Sequence, residues 1–68
     1  MEKGWKEVFM TTHEYKVEIA REILENEGIS AVVINQKDTA YQAFGEIYVY
    51  VQEENAEQAD ELLKNLKN

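Results

Sequence analysis

Side chains able to do covalent or acid-base chemistry are sparse in this chain, which has one histidine (His13), one arginine (Arg21) and no cysteine. Without cysteine there is no thiolate catalysis, thiolate metal site or disulfide scaffold. One histidine cannot supply a His-based metal set. His13 falls where a first helical turn is expected, which is a solvated place rather than the setting of a buried base. Carboxylates are abundant, with 14 Asp+Glu against 7 Lys+Arg. Most of them (Glu14, Glu18, Glu22, Glu25, Glu27, Glu53, Glu54, Glu57, Asp60 and Glu61) lie on two predicted helices and read as solvated faces. Glu14, Glu18 and Glu22 repeat at i,i+4 spacing and repel mildly. Side chains on an open helix face do not converge as a hard divalent cation requires. Acylphosphatase-type chemistry would want an arginine in an anion-cradling loop before the first helix, and Phe9-Met10-Thr11-Thr12 offers none. The expectation is a non-enzymatic protein with no catalytic residues, no metal and no cofactor.

Two stretches carry recognition chemistry instead. The connection Gln36 to Gly45 is longer than the two to five residues a hairpin needs. Within or beside it, Asn35, Gln36, Lys37 and Asp38 are candidate polar determinants, and Tyr41 and Phe44 candidate anchors. The competing reading is structural: Asn35 and Asp38 supply turn hydrogen bonds, Gly45 a positive φ, and Tyr41 and Phe44 a satellite core. The second stretch, Phe44-Gly45-Glu46-Ile47-Tyr48-Val49-Tyr50, partly echoes the RNP1 motif with which RNA-recognition domains stack bases on a sheet. The echo fails where it matters, because Glu46 stands at an aromatic position and Gln42 and Ala43 replace the basic residue and glycine. Tyr48 and Tyr50 read instead as alternate-face strand residues and as candidate subunit-interface residues.

These side chains must be positioned by a small scaffold. Sixty-eight residues suit a single domain, 1-68, that buries about 60% of the surface its unfolded chain exposes. Trp5 to Thr11 has strand composition, with its inward face undecided. Thr11 and Glu14 have the spacing of a capping box. The helix predicted from there to about Glu27 buries Val17, Ile19, Ala20, Ile23 and Leu24 on one side. Gly28 suits a left-handed C-terminal cap, with Ile29 folding back on the last turn. Ala31 to Asn35 is a short β-branched strand. Glu46 to Val51 alternates, with Ile47, Val49 and Val51 on one face and Glu46, Tyr48 and Tyr50 on the other. Glu53 to Leu66 reads as a second amphipathic helix built on Ala56, Ala59, Leu62, Leu63 and Leu66. The order βαββα fits an α+β, ferredoxin-like arrangement: a three-stranded antiparallel sheet with strand three central, two helices on one face and no fourth strand.

The net charge of -7 opposes binding to phosphate backbones or anionic lipid, both of which need clustered Lys/Arg. Nucleic acid is therefore not the expected partner, although an RNA-recognition-like or protein-interaction use of the aromatic sheet face is the alternative reading. The longest strictly apolar run, Ala31-Val32-Val33-Ile34, falls far short of the roughly 20 residues of a membrane span. The N-terminal residues have no apolar signal core, so the expected location is the cytoplasm.

Trp5-Lys6-Glu7-Val8-Phe9, Glu27-Gly28-Ile29, Ala31-Val32-Val33, Asn35-Gln36-Lys37-Asp38 and Phe44-Gly45-Glu46-Ile47-Tyr48-Val49 together resemble a small bacterial family of unknown function catalogued as putative prokaryotic signal transducing proteins. That family is placed near the PII-like ferredoxin-fold regulators. The resemblance spans essentially the whole chain and implies a cytosolic binding or signalling module whose partner, protein or small molecule, is unidentified. Nothing here matches the long nucleotide-binding loops of PII proteins, so nucleotide sensing is not implied.

An uncovered sheet face bearing Tyr48 and Tyr50 leads us to expect a homodimer. If the 35-45 connection contacts a partner, replacing Lys37 and Asp38 together with alanine will leave the melting temperature nearly unchanged while weakening partner capture in a pull-down. A large loss of melting temperature would instead make the segment structural.

Overall fold

The computed structural model describes residues 4-35 and 45-67. In chain order these form β1 (Trp5–Thr11), α1 (Glu14–Asn26), β2 (Ala31–Asn35), β3 (Ile47–Gln52), a 3-10 turn (Glu53–Asn55), α2 (Ala56–Leu62) and α3 (Lys64–Lys67). The sheet order is β1-β3-β2, and β3 is antiparallel to both neighbours. This is the expected α+β, ferredoxin-like βαββα arrangement.

β3 works as a two-faced strand because its residues alternate. Ile47, Val49 and Val51 are 2% exposed or less, whereas Tyr48 and Tyr50 are half-buried. Side chains on a strand point alternately to opposite faces, so the first set meets the helices and the second faces away from them. α1 packs against all three strands, while α2 packs against β1, β3 and α1. Both helices therefore lie on the Ile47-Val49-Val51 side.

β1 resolves its undecided face through a bulge. Glu7 pairs with Tyr50 and Phe9 with Val49, leaving Val8 as the extra residue. A bulge of this kind resets the alternation of its strand. Trp5, Glu7 and Met10 thus share the outer face with Gln52, Tyr50 and Tyr48, while Phe9 and Thr11 join Val49 and Ile47 inside. Val8 and Phe9 are consecutive and both buried, which simple alternation does not permit.

The predicted capping box does not form. Thr11 ends β1 opposite Ile47, and its buried Oγ1 accepts a hydrogen bond from the His13 N–H at 3.1 Å. His13, not Thr11, is the residue flanking α1 at its N-terminus, and its side chain makes no capping bond. The sheet claims Thr11 because its neighbour Ile47 belongs to the core. Val17, Ala20 and Leu24 are buried on α1 and Ile23 partly so, but Ile19 is 41% exposed, on the margin of the apolar arc.

The end of α1 follows expectation. Gly28 has φ +77°, its N–H bonds to the Glu25 carbonyl at 3.0 Å, and the Ile29 N–H reaches the Leu24 carbonyl at 2.9 Å. That pair of bonds is the Schellman closure, and Ile29 behind it is buried. The second helical region, predicted as one helix, breaks at Leu63. Leu63 leaves helical geometry (φ -94°, ψ 5°) while its N–H still bonds to the Ala59 carbonyl at 3.0 Å. The break keeps Leu63 fully buried and still brings Leu66 onto the core. The Glu53 N–H bonds to the Gly4 carbonyl at 2.7 Å and ties the start of this region to the entry of β1.

A Cβ placed on Gly28 meets nothing within 4 Å, so Gly28→Ala carries only the backbone strain of a left-handed alanine. Urea denaturation of Gly28→Ala will show a loss of about 1–2 kcal/mol. Leu24→Ala, which empties a site with 0% exposure, will cost about 2–5 kcal/mol.

Candidate interaction surface

The helix-free face of the sheet is assembled in cross-strand rows. Residues paired across strands share a face, with Cβ atoms roughly 4.5–5.5 Å apart. Met10, Tyr48 and Ile34 form one row, Glu7, Tyr50 and Val32 the next, and Trp5 with Gln52 the third. The two tyrosines therefore sit in the middle of the sheet, each flanked by an aliphatic residue of β2. Met10 is 47% and Val32 38% exposed, whereas Trp5, Ile34, Tyr48 and Tyr50 are half-buried. Glu7 and Glu46 are the acidic groups beside this apolar centre.

Tyr48 is held in place. Its hydroxyl donates to the Glu46 carboxylate (Oε1) at 2.8 Å. Accepting that proton favours the neutral phenol, and partial burial and the negative charges of Glu46 and Glu7 act the same way, so the Tyr48 pKa lies above its ordinary value of 10.0. A tyrosine fixed at its tip presents a rigid ring to a partner at little entropic cost. The arrangement has the parts of a protein-binding patch, with aromatic anchors and a polarizable methionine inside a polar margin.

The other polar cluster lies on the helical side. Asp60 on α2 accepts a hydrogen bond from the Lys67 ammonium of α3. That bond and the Lys67 charge, with smaller help from Lys6 and Lys64, hold the Asp60 carboxyl below its ordinary range. A groove of about 320 Å³ beside it is lined by Val8, Phe9 and Leu66 together with Glu7, Lys16, Asp60 and Lys67. Its mixed charges suit an intramolecular tie more than a ligand cradle. Among the described residues, no three His, Asp or Glu side chains are grouped to hold a metal ion.

Of the residues singled out from sequence, Tyr48 and Tyr50 lie together on the helix-free face, as expected. Asn35 is exposed at the end of β2, opposite Ile47, away from the tyrosines. Gly45 has φ +60°, as the turn reading expects. Gln36, Lys37, Asp38, Tyr41 and Phe44 lie outside the described residues. Sequence reasoning missed Met10, Val32 and Ile34. β2 is too short to show its facing by itself, and only its register against β3 places Val32 and Ile34 beside the tyrosines.

Spectrophotometric titration will find Tyr48 ionizing above its ordinary value, and Glu46→Gln, which removes the carboxylate charge, will bring it back down. Because the folded-state pKa is raised, the stability linked to this bond is fully present below pH 10 and is lost as pH rises through the folded value.

No curated protein and no solved structure matches the chain. No helix among the described residues is long and apolar enough to cross a membrane. A family model does match, over residues 5–67. With β1, both helical regions and the Tyr48-Tyr50 strand inside that span, the chain belongs to the family described as "Putative prokaryotic signal transducing protein".

Proposed function

We propose that the chain is a small, non-enzymatic regulatory module of the cytoplasm that works by binding, and that its helix-free sheet face is the surface through which it forms a homodimer. The observation that carries this reading is the row Met10-Tyr48-Ile34 beside Glu7-Tyr50-Val32, an apolar and aromatic centre on a face that no described helix covers. Three strands of this length give a face on the order of 300 Å² in plan, and Met10, Tyr48, Ile34, Tyr50 and Val32 form its apolar centre. The family description points to signalling, and the sequence, with one histidine and no cysteine, offers little catalytic equipment.

A second copy suits this face better than RNA does. Base stacking on Tyr48 and Tyr50 would need a cationic surround. The acidic groups next to them are Glu7 and Glu46, and the chain carries a net charge of -7. The same charge repels a second copy, but at about 0.15 M salt the screening length is roughly 8 Å, and half of the acids lie on α1 and α2, on the opposite side. A protein or small-molecule partner would then be recognised through the remaining surface, with the 35-45 connection as its proposed contact.

Light scattering at tens of micromolar will report a dimer for the parent protein. Tyr48→Glu, which places a charge in the middle of the apolar rows, will reduce association through this face. A parent protein that stays monomeric at every concentration would overturn the reading.

A further inference from the structure

The third cross-strand row, Trp5 with Gln52, lies at the end of the sheet, outside the two rows proposed to meet a second copy. Here the described residues form a cleft of about 460 Å³, lined by Gly4, Trp5, Gln52, Glu53 and Glu54. The backbone fixes its shape. The Glu53 N–H bonds to the Gly4 carbonyl at 2.7 Å and joins the start of the 3-10 turn to the entry of β1. Gly4 has φ +96°, and a Cβ placed on it meets nothing within 4 Å, so open space borders the chain at this wall.

The lining is aromatic and acidic. Trp5 is half-buried and is the chain's only tryptophan. Glu53 and Glu54 are exposed, and neither is held in an ion pair. Lys6, the residue after Trp5, takes the helix side opposite Val51 and pairs with neither of them. Gln52 flanks the 3-10 turn but makes no side-chain capping bond, which leaves its amide uncommitted. A helix dipole favours acids in a first turn. That accounts for Glu53 and Glu54 being acidic, but not for their meeting a tryptophan and a free amide in one cleft.

We infer that this cleft is a docking site for an arginine side chain of another protein, carried on a segment that is basic and otherwise apolar. The occupant follows from charge complementarity. A guanidinium stacks on an aromatic face and pairs in fork geometry with carboxylates, which a compact ammonium does less well. The cleft offers both kinds of partner, and among its described lining residues there is no cation. A phosphate-bearing ligand would meet two carboxylates and be repelled. A second copy is not the donor, because Arg21, the chain's only arginine, lies on α1 and pairs with Glu25 at 3.6 Å. The net charge of -7 attracts a basic partner from a distance, and the cleft selects where its arginine is seated.

Because Trp5 is the only tryptophan, its fluorescence reads this cleft alone. The probe is the capped tripeptide Val-Arg-Val, titrated at about 0.15 M salt, where long-range attraction is screened. It will change the Trp5 emission with a millimolar Kd, and Val-Gln-Val will not. Glu53→Gln combined with Glu54→Gln will raise that Kd roughly tenfold. Glu18→Gln combined with Glu22→Gln on α1 removes the same charge and will raise it by less than about twofold. Tyr48→Glu, which acts on the rows proposed for the dimer, will leave the titration in place, so the result does not depend on how copies associate. The inference is overturned if Val-Gln-Val gives the same response, if the two double variants weaken binding equally, or if neither the Trp5 emission nor the Trp5 indole and Gln52 amide NMR signals respond to Val-Arg-Val. A response that appears only after Lys3→Gln would assign the cleft to the chain's own N-terminal lysine and overturn it as well.

Discussion

Ile47, Val49 and Val51 project from one face of β3 and are the side chains on which the rest of the molecule closes. β3 is the central strand, so its backbone is paired on both sides, and its inward residues are sealed by α1 and α2 together. Each of the three removes apolar surface worth about 1.5–3 kcal/mol from water. Two helices cover one face of the three-stranded sheet, and no described helix covers the other. The alternation that buries Ile47, Val49 and Val51 therefore obliges Tyr48 and Tyr50 to face outward.

The outer strands adapt to that constraint in different ways. β1 inserts Val8 as a bulge, so that Val8 and Phe9 are both buried while Trp5, Glu7 and Met10 remain outside. The same bulge disrupts the edge of β1. β2 keeps regular pairing and an uncharged edge. Met10 and Val32 are exposed on the sheet face, Tyr15 and Ile19 on α1 beside its acidic residues.

Much of this was legible in the residues. The alternation Ile47 to Val51 gave the facing of β3, and Glu27-Gly28-Ile29 gave the Schellman closure, because both are local patterns with a single structural reading. The failures are those of local reading where tertiary pairing decides. Thr11 and Glu14 have capping-box spacing, but Thr11 is drawn into β1 opposite Ile47. Glu53 to Leu66 has one helical periodicity, yet the chain leaves helical geometry at Leu63 so that Leu63 and Leu66 both reach the core. The facing of β1 depended on a bulge that composition does not announce. Of the candidate surface, Tyr48 and Tyr50 could be read from β3 alone, whereas Met10, Val32 and Ile34 required the register of all three strands.

We propose that copies of this chain meet through the helix-free side of the sheet. The most direct test is an isotope-filtered NOE experiment on an equimolar mixture of labelled and unlabelled protein. Association through this face will give intermolecular contacts between the Tyr48 and Tyr50 rings and the methyl groups of Met10, Val32 and Ile34 on another copy. Intermolecular contacts confined to α1 and α2, or their complete absence at millimolar concentration, would contradict it.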